Sequence, residues 1–311
     1  MSRVCAVYHW WDEAGDSPPY ANLRVPTIIS IATLRAVNPD IPITILDITE
    51  ENKNWANFPD RLGFSVRKIK PSLSRHRHRI RGWKHLSRFL DVQYADIPYA
   101  ETILYIDSDV FWLRDPLPLA RSTDRFCFDG WNTGFYYYCK DAPFTSDFFE
   151  VFQAYTVAAI YSEDVRQVMN KYVGYESWHG VWDEMISTYM INRHTEWFNV
   201  IPLDEHVAAR NLHLASNPKM FHCNGTMVAN QVPKTPNEHI HCRGLLGLLV
   251  TEFYECLLRV LDTDDLAKIY SEQERRIYLP QQFPLRRIVE TKGEDGHFYA
   301  EKCLAPKKLI I

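Results

Sequence analysis

The 311-residue chain has no Cys-x-x-Cys pair, and its seven cysteines, Cys5, Cys127, Cys139, Cys223, Cys242, Cys256 and Cys303, are odd in number and irregularly spaced. That argues against a disulfide framework or a zinc module and leads to an expectation of reduced thiols and a cytoplasmic protein. A long apolar run is missing too. Spanning a bilayer takes about 20 consecutive apolar residues, and the closest approach, Leu245 to Val250, is followed by Glu252 and Glu255. No membrane span is expected. The stretch Met1 to His9 carries one arginine and runs directly into Trp10-Trp11-Asp12-Glu13. It has neither the apolar length nor the small-residue cleavage site of a signal peptide. Internal repeats and low-complexity tracts are absent as well.

Acidic residues are missing from one particular stretch. Between Arg67 and Arg88 lie Lys68, Lys70, Arg75, Arg77, Arg79, Arg81 and Lys84, with His76, His78 and His85, and no Asp or Glu interrupts them, although the formal net charge of the chain is −4. A basic cluster in an acidic protein points to an anionic partner at one place and away from a nucleic-acid-binding protein. What remains is ordinary for a globular chain: 46% apolar and 24% charged residues, enough for one large core or a core with a small appendage. Aromatic residues reach 14%. Rings in that number pack a dense core and also offer faces on which a pyranose stacks.

Strands are expected at Arg3–His9, Pro42–Ile48, Phe64–Ile69 and Glu101–Ile106, from short apolar or β-branched runs. Helices are expected at Ala21–Val37, stopped by Asn38-Pro39, and at Trp83–Val92. This alternation implies an α/β protein with a doubly wound, mostly parallel sheet, in which ligands sit beyond the carboxyl ends of the strands. Two further strands are expected at Arg125–Phe128 and Phe135–Cys139, with Gly130 to Gly134 as the turn between them. Helices follow at Phe144–Tyr161 and Asp183–Ile191, and a closing strand at Lys219–His222. Beyond Arg243 the character changes, with helices expected at Leu245–Leu261 and Asp264–Tyr270 and polar linkers to Ile311. The expected division is a main domain over 1–243 and a mainly helical extension over 244–311. The helices of that extension are candidates for a homodimer contact.

Asp107-Ser108-Asp109 stands just past the strand Glu101–Ile106. Two carboxylates one residue apart at a strand end can converge on one hard divalent cation, Mn²⁺ or Mg²⁺. Such an ion bridges the phosphates of a nucleotide diphosphate and stabilises charge on the leaving group. The pattern also occurs in surface turns. What distinguishes it here is the buried strand in front, since carboxylates at such an end need a partner. Lys84 and Arg88 lie one helical turn apart just upstream.

Taken in order, Arg88 on a helix, Ile103 to Val110 (ILYIDSDV), Trp131 to Tyr138 (WNTGFYYY), Trp182-Asp183-Glu184 and His222-Cys223-Asn224-Gly225 resemble the GT-A glycosyltransferases. The likeness is to the glycogenin and lipopolysaccharide-galactosyltransferase group and covers roughly residues 3 to 225. It implies a Rossmann-like GT-A sheet and transfer of a hexose or pentose from a nucleotide diphosphate sugar to a hydroxyl on a glycan or glycoconjugate. A uridine diphosphate sugar is the expected donor, and retention is favoured over inversion. It further implies Asp107, Asp109 and His222 as metal ligands, with Asp107 also near the donor, and Gly225 close to the diphosphate. Lys84 and Arg88 would hold the donor. Asn132, Thr133 and Gly134 correspond to the donor-sugar segment, although a hairpin turn explains the glycine equally well.

Asp183 and Glu184 correspond to the acidic motif near the anomeric carbon. Glu184 stands where retaining relatives usually carry glutamine. It could stabilise an oxocarbenium-like centre, act as nucleophile or serve as base, and acids at a helix start also compensate its dipole. Two departures stand out. The family's Lys-Pro-Trp is replaced by Met227-Val228-Ala229, so Lys234 either substitutes from a longer loop or that contact is missing. No base-recognition signature follows the first strand; Tyr8, His9 and Asp12 are candidates by position alone. The run Arg75 to Arg81 reads either as a lid over the diphosphate or as a solvated loop. Two rival functions share the motif: a haloacid-dehalogenase-type phosphatase, which would need a G-D-x-x-x-D that the sequence lacks, and a catalytically inactive sugar-nucleotide-binding protein.

Overall fold

The computed structural model describes residues 3–10, 24–49, 59–79, 83–94, 97, 100–108, 110–117, 125–129, 132–173, 181, 183–200, 207–209, 220–222, 259–262, 264–265, 287–292 and 298–304. Its centre is a seven-stranded sheet built from β1 (Val4–Trp10), β2 (Ile43–Asp47), β3 (Ser65–Lys68), β4 (Thr102–Ile106), β6 (Phe126–Asp129), β7 (Asn132–Cys139) and β8 (Phe198–Val200). The order is β3-β2-β1-β4-β7-β6-β8. Pairs β1·β2, β1·β4, β2·β3 and β6·β8 are parallel, while β7 runs antiparallel to both β4 and β6. This mixed, mostly parallel sheet with flanking helices is the Rossmann-like GT-A class expected above.

Strand alternation explains how one sheet feeds two cores. Val4, Ala6, Tyr8, Leu104, Ile106, Phe135 and Tyr137 enter one cluster, which α1 (Arg24–Val37) covers with Ile28, Ile29, Ile31, Ala32 and Leu34. Cys5, Val7, Ile103, Tyr105, Tyr136 and Tyr138 enter the other. There they meet α2 (Trp83–Tyr94), α3 (Thr145–Tyr161), α4 (Glu163–Val173) and α5 (Asp183–Arg193). The run Tyr136-Tyr137-Tyr138 is thus divided between faces. Much of the aromatic excess is structural: Phe89, Tyr136 and Tyr105 stack at 4.9 and 4.6 Å, and Phe152 lies 4.8 Å from Phe89. Cys5, Cys127 and Cys139 are free thiols. Among the described residues no helix is long and apolar enough to cross a membrane.

Six elements were not expected from the sequence: β5 (Val110–Trp112), β8, β9 (Val207–Ala209), β11 (Arg287–Lys292), β12 (Phe298–Leu304) and α4. β5 leaves the main sheet and pairs antiparallel with β10 (Met220–His222), which pairs parallel with β9. α4 follows α3 after a single residue, Ser162. β11 and β12 form an antiparallel hairpin in the tail that was read as polar linkers. The Leu245–Leu261 and Asp264–Tyr270 segments and the boundary at 243 lie largely outside the described residues, although 264–265 are helical. The turn expected over Gly130–Gly134 is shorter, because Asp129 already pairs with Asn132 and β7 begins there.

Candidate functional site

All five residues of β4 are buried, and the chain turns as soon as the strand ends. The Asp107 N–H donates to the Gly134 carbonyl at 2.7 Å, and the Val110 N–H donates back to the Asp107 carbonyl at 3.2 Å. The chain therefore turns between Asp107 and Val110, from β4 into β5, at the carboxyl end of a central strand. The same turn sends Val110 across from His222 in the β5·β10 pair. Backbone geometry thus brings the His222 position beside the turn that follows Asp107.

α2 has polar groups on its buried side. Ser87, Arg88 and Asp91 are buried beside Leu86, Phe89 and Leu90, and each polar group is engaged. The Leu73 N–H donates to Ser87 Oγ at 3.1 Å. Asp91 accepts from the Ser72 N–H and hydroxyl at 2.7 and 2.6 Å, and its other oxygen lies 2.9 Å from His9 Nε2. Arg88 reaches the end of β4, where Nη1 donates to both oxygens of Asp107 and Nη2 donates to Asp183.

The three side chains are 7%, 18% and 9% exposed for Arg88, Asp107 and Asp183. Two carboxylates around one guanidinium leave a net negative charge in a nearly closed space. Burial works against the Arg88 charge, but Asp107 and Asp183 outweigh it and hold the guanidinium cationic far above its ordinary range. The Tyr105 hydroxyl donates to Asp107 Oδ1 at 2.9 Å. Burial, then the neighbouring Asp107 charge, keeps that phenol neutral. Tyr105 and Asp107 are two residues apart and share a face of the strand, which is the signal that could have revealed the contact from sequence.

The expected site residues gather in part. Arg88, Asp107, Gly134 and Asp183 meet directly, as the contacts above state. Lys84 lies on the first turn of α2, half-buried, with Nζ 5.9 Å from the Trp83 ring centroid. Glu184 is half-buried in the first turn of α5, where two acids face the helix dipole. The backbones of Asn132 and Thr133 start β7 beside Gly134. Asp109, Gly225, Lys234, Asp12 and the side chains of Asn132, Thr133 and His222 lie outside the described residues. Among the described residues no group of three metal-ligating side chains assembles. The part that is described suits a divalent cation: a carboxylate at a strand end, excess negative charge, and a histidine-bearing strand brought alongside.

One expectation needs correction. Tyr8 and His9 are not placed for a nucleobase: both are buried, Tyr8 Oη against Ser30 Oγ at 3.0 Å and His9 against Asp91. β1 is a central strand covered on both faces, so residues that look terminal in sequence are interior. The basic run, in turn, is anchored. Ser72 and Leu73 are tied to α2 as described, and buried His76 lies 3.1 Å from the Tyr161 hydroxyl and accepts from Arg75 Nε at 2.9 Å. Arg75, Arg77 and Arg79 are exposed. That arrangement corresponds to the solvated-loop alternative.

No protein-family model matches the chain, and no curated protein matches its sequence. Several solved structures resemble it. The galactosyltransferase LgtC, crystallised with donor and acceptor sugar analogues, aligns at 14% identity and a TM-score of 0.48, over 85% of this chain and 99% of its own. Mouse xyloside xylosyltransferase 1, in its apo form, aligns at 10% identity and a TM-score of 0.45, over 71% of this chain and 97% of its own. The bifunctional glycosyltransferase WbbM aligns at 12% identity and a TM-score of 0.48, over 88% of this chain and 52% of its own. All three are glycosyltransferases.

Proposed function

We propose that the protein is a glycosyltransferase that moves a sugar from a nucleotide diphosphate sugar to a hydroxyl acceptor. The observation that carries the reading is the meeting of Arg88, Asp107, Gly134 and Asp183 at the carboxyl end of β4, with the His222 strand paired alongside. Motifs scattered along the sequence converge on one place, as a donor site requires. The donor would be a uridine diphosphate hexose or pentose, on the strength of the motif resemblance, and the acceptor a glycan or glycoconjugate.

Asp107, Asp109 and His222 would hold Mn²⁺ or Mg²⁺, which when bound neutralises charge on the departing diphosphate. Arg88 sets the orientation of Asp107 and Asp183 by donating to both. Asp183, so oriented, would accept from sugar hydroxyls. Glu184, beside it on α5, is the candidate for the anomeric carbon, whether as electrostatic stabiliser, nucleophile or base; retention is favoured. Lys84 adds positive charge for the donor phosphates, and Gly225 and Lys234 would approach the diphosphate. A haloacid-dehalogenase-type phosphatase is disfavoured because the sequence lacks the G-D-x-x-x-D that such an enzyme would need downstream of Asp107.

The test is a screen of UDP- and GDP-sugars for hydrolysis with Mn²⁺, Mg²⁺ or chelator. Metal-dependent release of one nucleotide diphosphate supports the reading and names the donor. Hydrolysis of p-nitrophenyl phosphate without any nucleotide sugar would favour the phosphatase. Binding of UDP and Mn²⁺ by calorimetry without turnover would indicate the inactive binding protein.

A further inference from the structure

At the end of α5 remote from Asp183 lies a second group of side chains that the donor site does not use. Tyr189 on α5 meets Tyr172 of α4 edge to face at 5.1 Å and Tyr155 of α3 at 5.2 Å. The Arg193 guanidinium lies 5.5 Å from the Tyr189 ring centroid. The Tyr155 hydroxyl is 3.3 Å from His194 Nε2, and His194 stacks on Trp197 at 4.1 Å. Tyr172 is 41% exposed. Arg193 is exposed, and Tyr155, Tyr189 and His194 are half-buried. Aromatic rings, phenol hydroxyls, an imidazole and a guanidinium therefore gather near the surface, on three packed helices and on His194, the residue just after α5.

Core packing alone does not account for this composition. A core site would take apolar side chains, whereas these rings have polar tips at the water boundary. The position also selects the ligand's charge. The last carbonyls of α5 give this end of the helix a partial negative charge, which Arg193 offsets. The guanidinium is also already engaged by the Tyr189 hydroxyl, so an anion meets no unshared cation among the described residues of the cluster. A neutral polyol with apolar C–H faces fits: the faces pack on rings, and its hydroxyls exchange hydrogen bonds with phenol, imidazole and guanidinium.

We propose that Tyr155, Tyr172, Tyr189, Arg193 and His194 form a second, non-catalytic saccharide site that holds a neutral part of the glycan. Tyr189 and Arg193 follow Asp183 by six and ten residues, so they stand about 9 and 15 Å further along the α5 axis. One rigid helix carries both sites. A glycan held at the cluster raises the local concentration of its own chain end at the donor site. The assignment of a saccharide as ligand stands on the side-chain chemistry, and that of the acceptor as its source rests on the transferase reading.

The experiment uses the full chain on an array of neutral oligosaccharides of glucose, galactose, mannose and xylose, with a Tyr172→Ala, Arg193→Ala variant beside the wild type. Both substitutions are at exposed positions, and a matching thermal melt checks the fold. The expected result is that at least one glycan binds the wild type and that the variant loses affinity by about 10-fold or more. Hydrolysis of the nucleotide sugar should be equal in both proteins. Inorganic phosphate should not compete, and competition by it would overturn the assignment of a neutral ligand. Failure of every glycan to bind the wild type, or equal binding by the variant, overturns the site. Glycan binding through the cluster with no nucleotide-sugar hydrolysis would leave the site standing and remove the transferase reading.

Discussion

Replacing Arg88 with methionine tests the centre of the argument, because the side chain keeps its bulk and loses only its charge and donors. In the wild type one cation faces two carboxylates, Asp107 and Asp183, at 7%, 18% and 9% side-chain exposure. Without it, two negative groups remain in a space nearly closed to water. Breaking a buried ion pair from one side costs about 3–5 kcal/mol, and here the second carboxylate places the expectation at the upper part of that range. Lysine at the same position keeps the charge but cannot reach two carboxylates as a fork, so Arg88→Lys should fall between wild type and Arg88→Met.

Removing one carboxylate should cost less, since Asp183→Asn leaves Arg88 paired with Asp107. The stripped pair in Arg88→Met should also take up a proton as the pH falls. Its deficit relative to wild type is therefore largest near neutrality and shrinks toward about pH 5, where the folded state binds more protons than the unfolded one. Urea unfolding followed by tryptophan fluorescence at both pH values measures this. An Arg88→Met protein within about 1 kcal/mol of wild type at neutral pH would refute the reasoning, as would a deficit that grows on acidification.

The same logic yields four shorter predictions. Tyr105→Phe removes the hydroxyl that donates to Asp107 and should cost about 1.5–3 kcal/mol, as for hydrogen bonds to charged groups, with unchanged near-ultraviolet dichroism from the ring stack. The buried Tyr136 hydroxyl makes no hydrogen bond among the described residues, so Tyr136→Phe should leave the denaturation midpoint unchanged or raised. His76 is pushed below its ordinary pKa by burial and then by Arg75 and Arg79. The unfolded chain therefore binds the proton more readily, stability falls as the pH drops through the unfolded value of 6.5, and His76→Gln should flatten that part of the profile. Asp109→Ala and His222→Ala should each abolish metal-dependent donor hydrolysis with an unchanged thermal melt, while Lys84→Ala should raise the donor KM about 10-fold; wild-type-like turnover in the first two would dismiss the metal assignment.

Short-range pattern determined much of this protein. The short apolar and β-branched runs of Val4–Trp10, Ile43–Asp47 and Thr102–Ile106 identify strands, because a strand buried on both faces reads as a nearly continuous hydrophobic run. The helical spacing in Trp83–Tyr94 and Thr145–Tyr161 is equally local. The position of Asp107 past a buried strand marked the candidate site for the same reason. β5, β8 and β9 have three residues each, too few to show a period, and they exist because a partner strand supplies the hydrogen bonds.

The long-range side-chain contacts of the site depended on the tertiary structure alone. Arg88 and Asp183 are separated by 95 positions, and nothing local says that a basic residue on α2 will be neutralised by an acid at the start of α5. The sequence suggested that Arg88 holds a donor. Burial decided that it first holds Asp107 and Asp183, because a guanidinium removed from water must find carboxylates. Burial likewise withdrew Tyr8 and His9 from the surface and brought Tyr155, Tyr172 and Tyr189 from three helices to one patch.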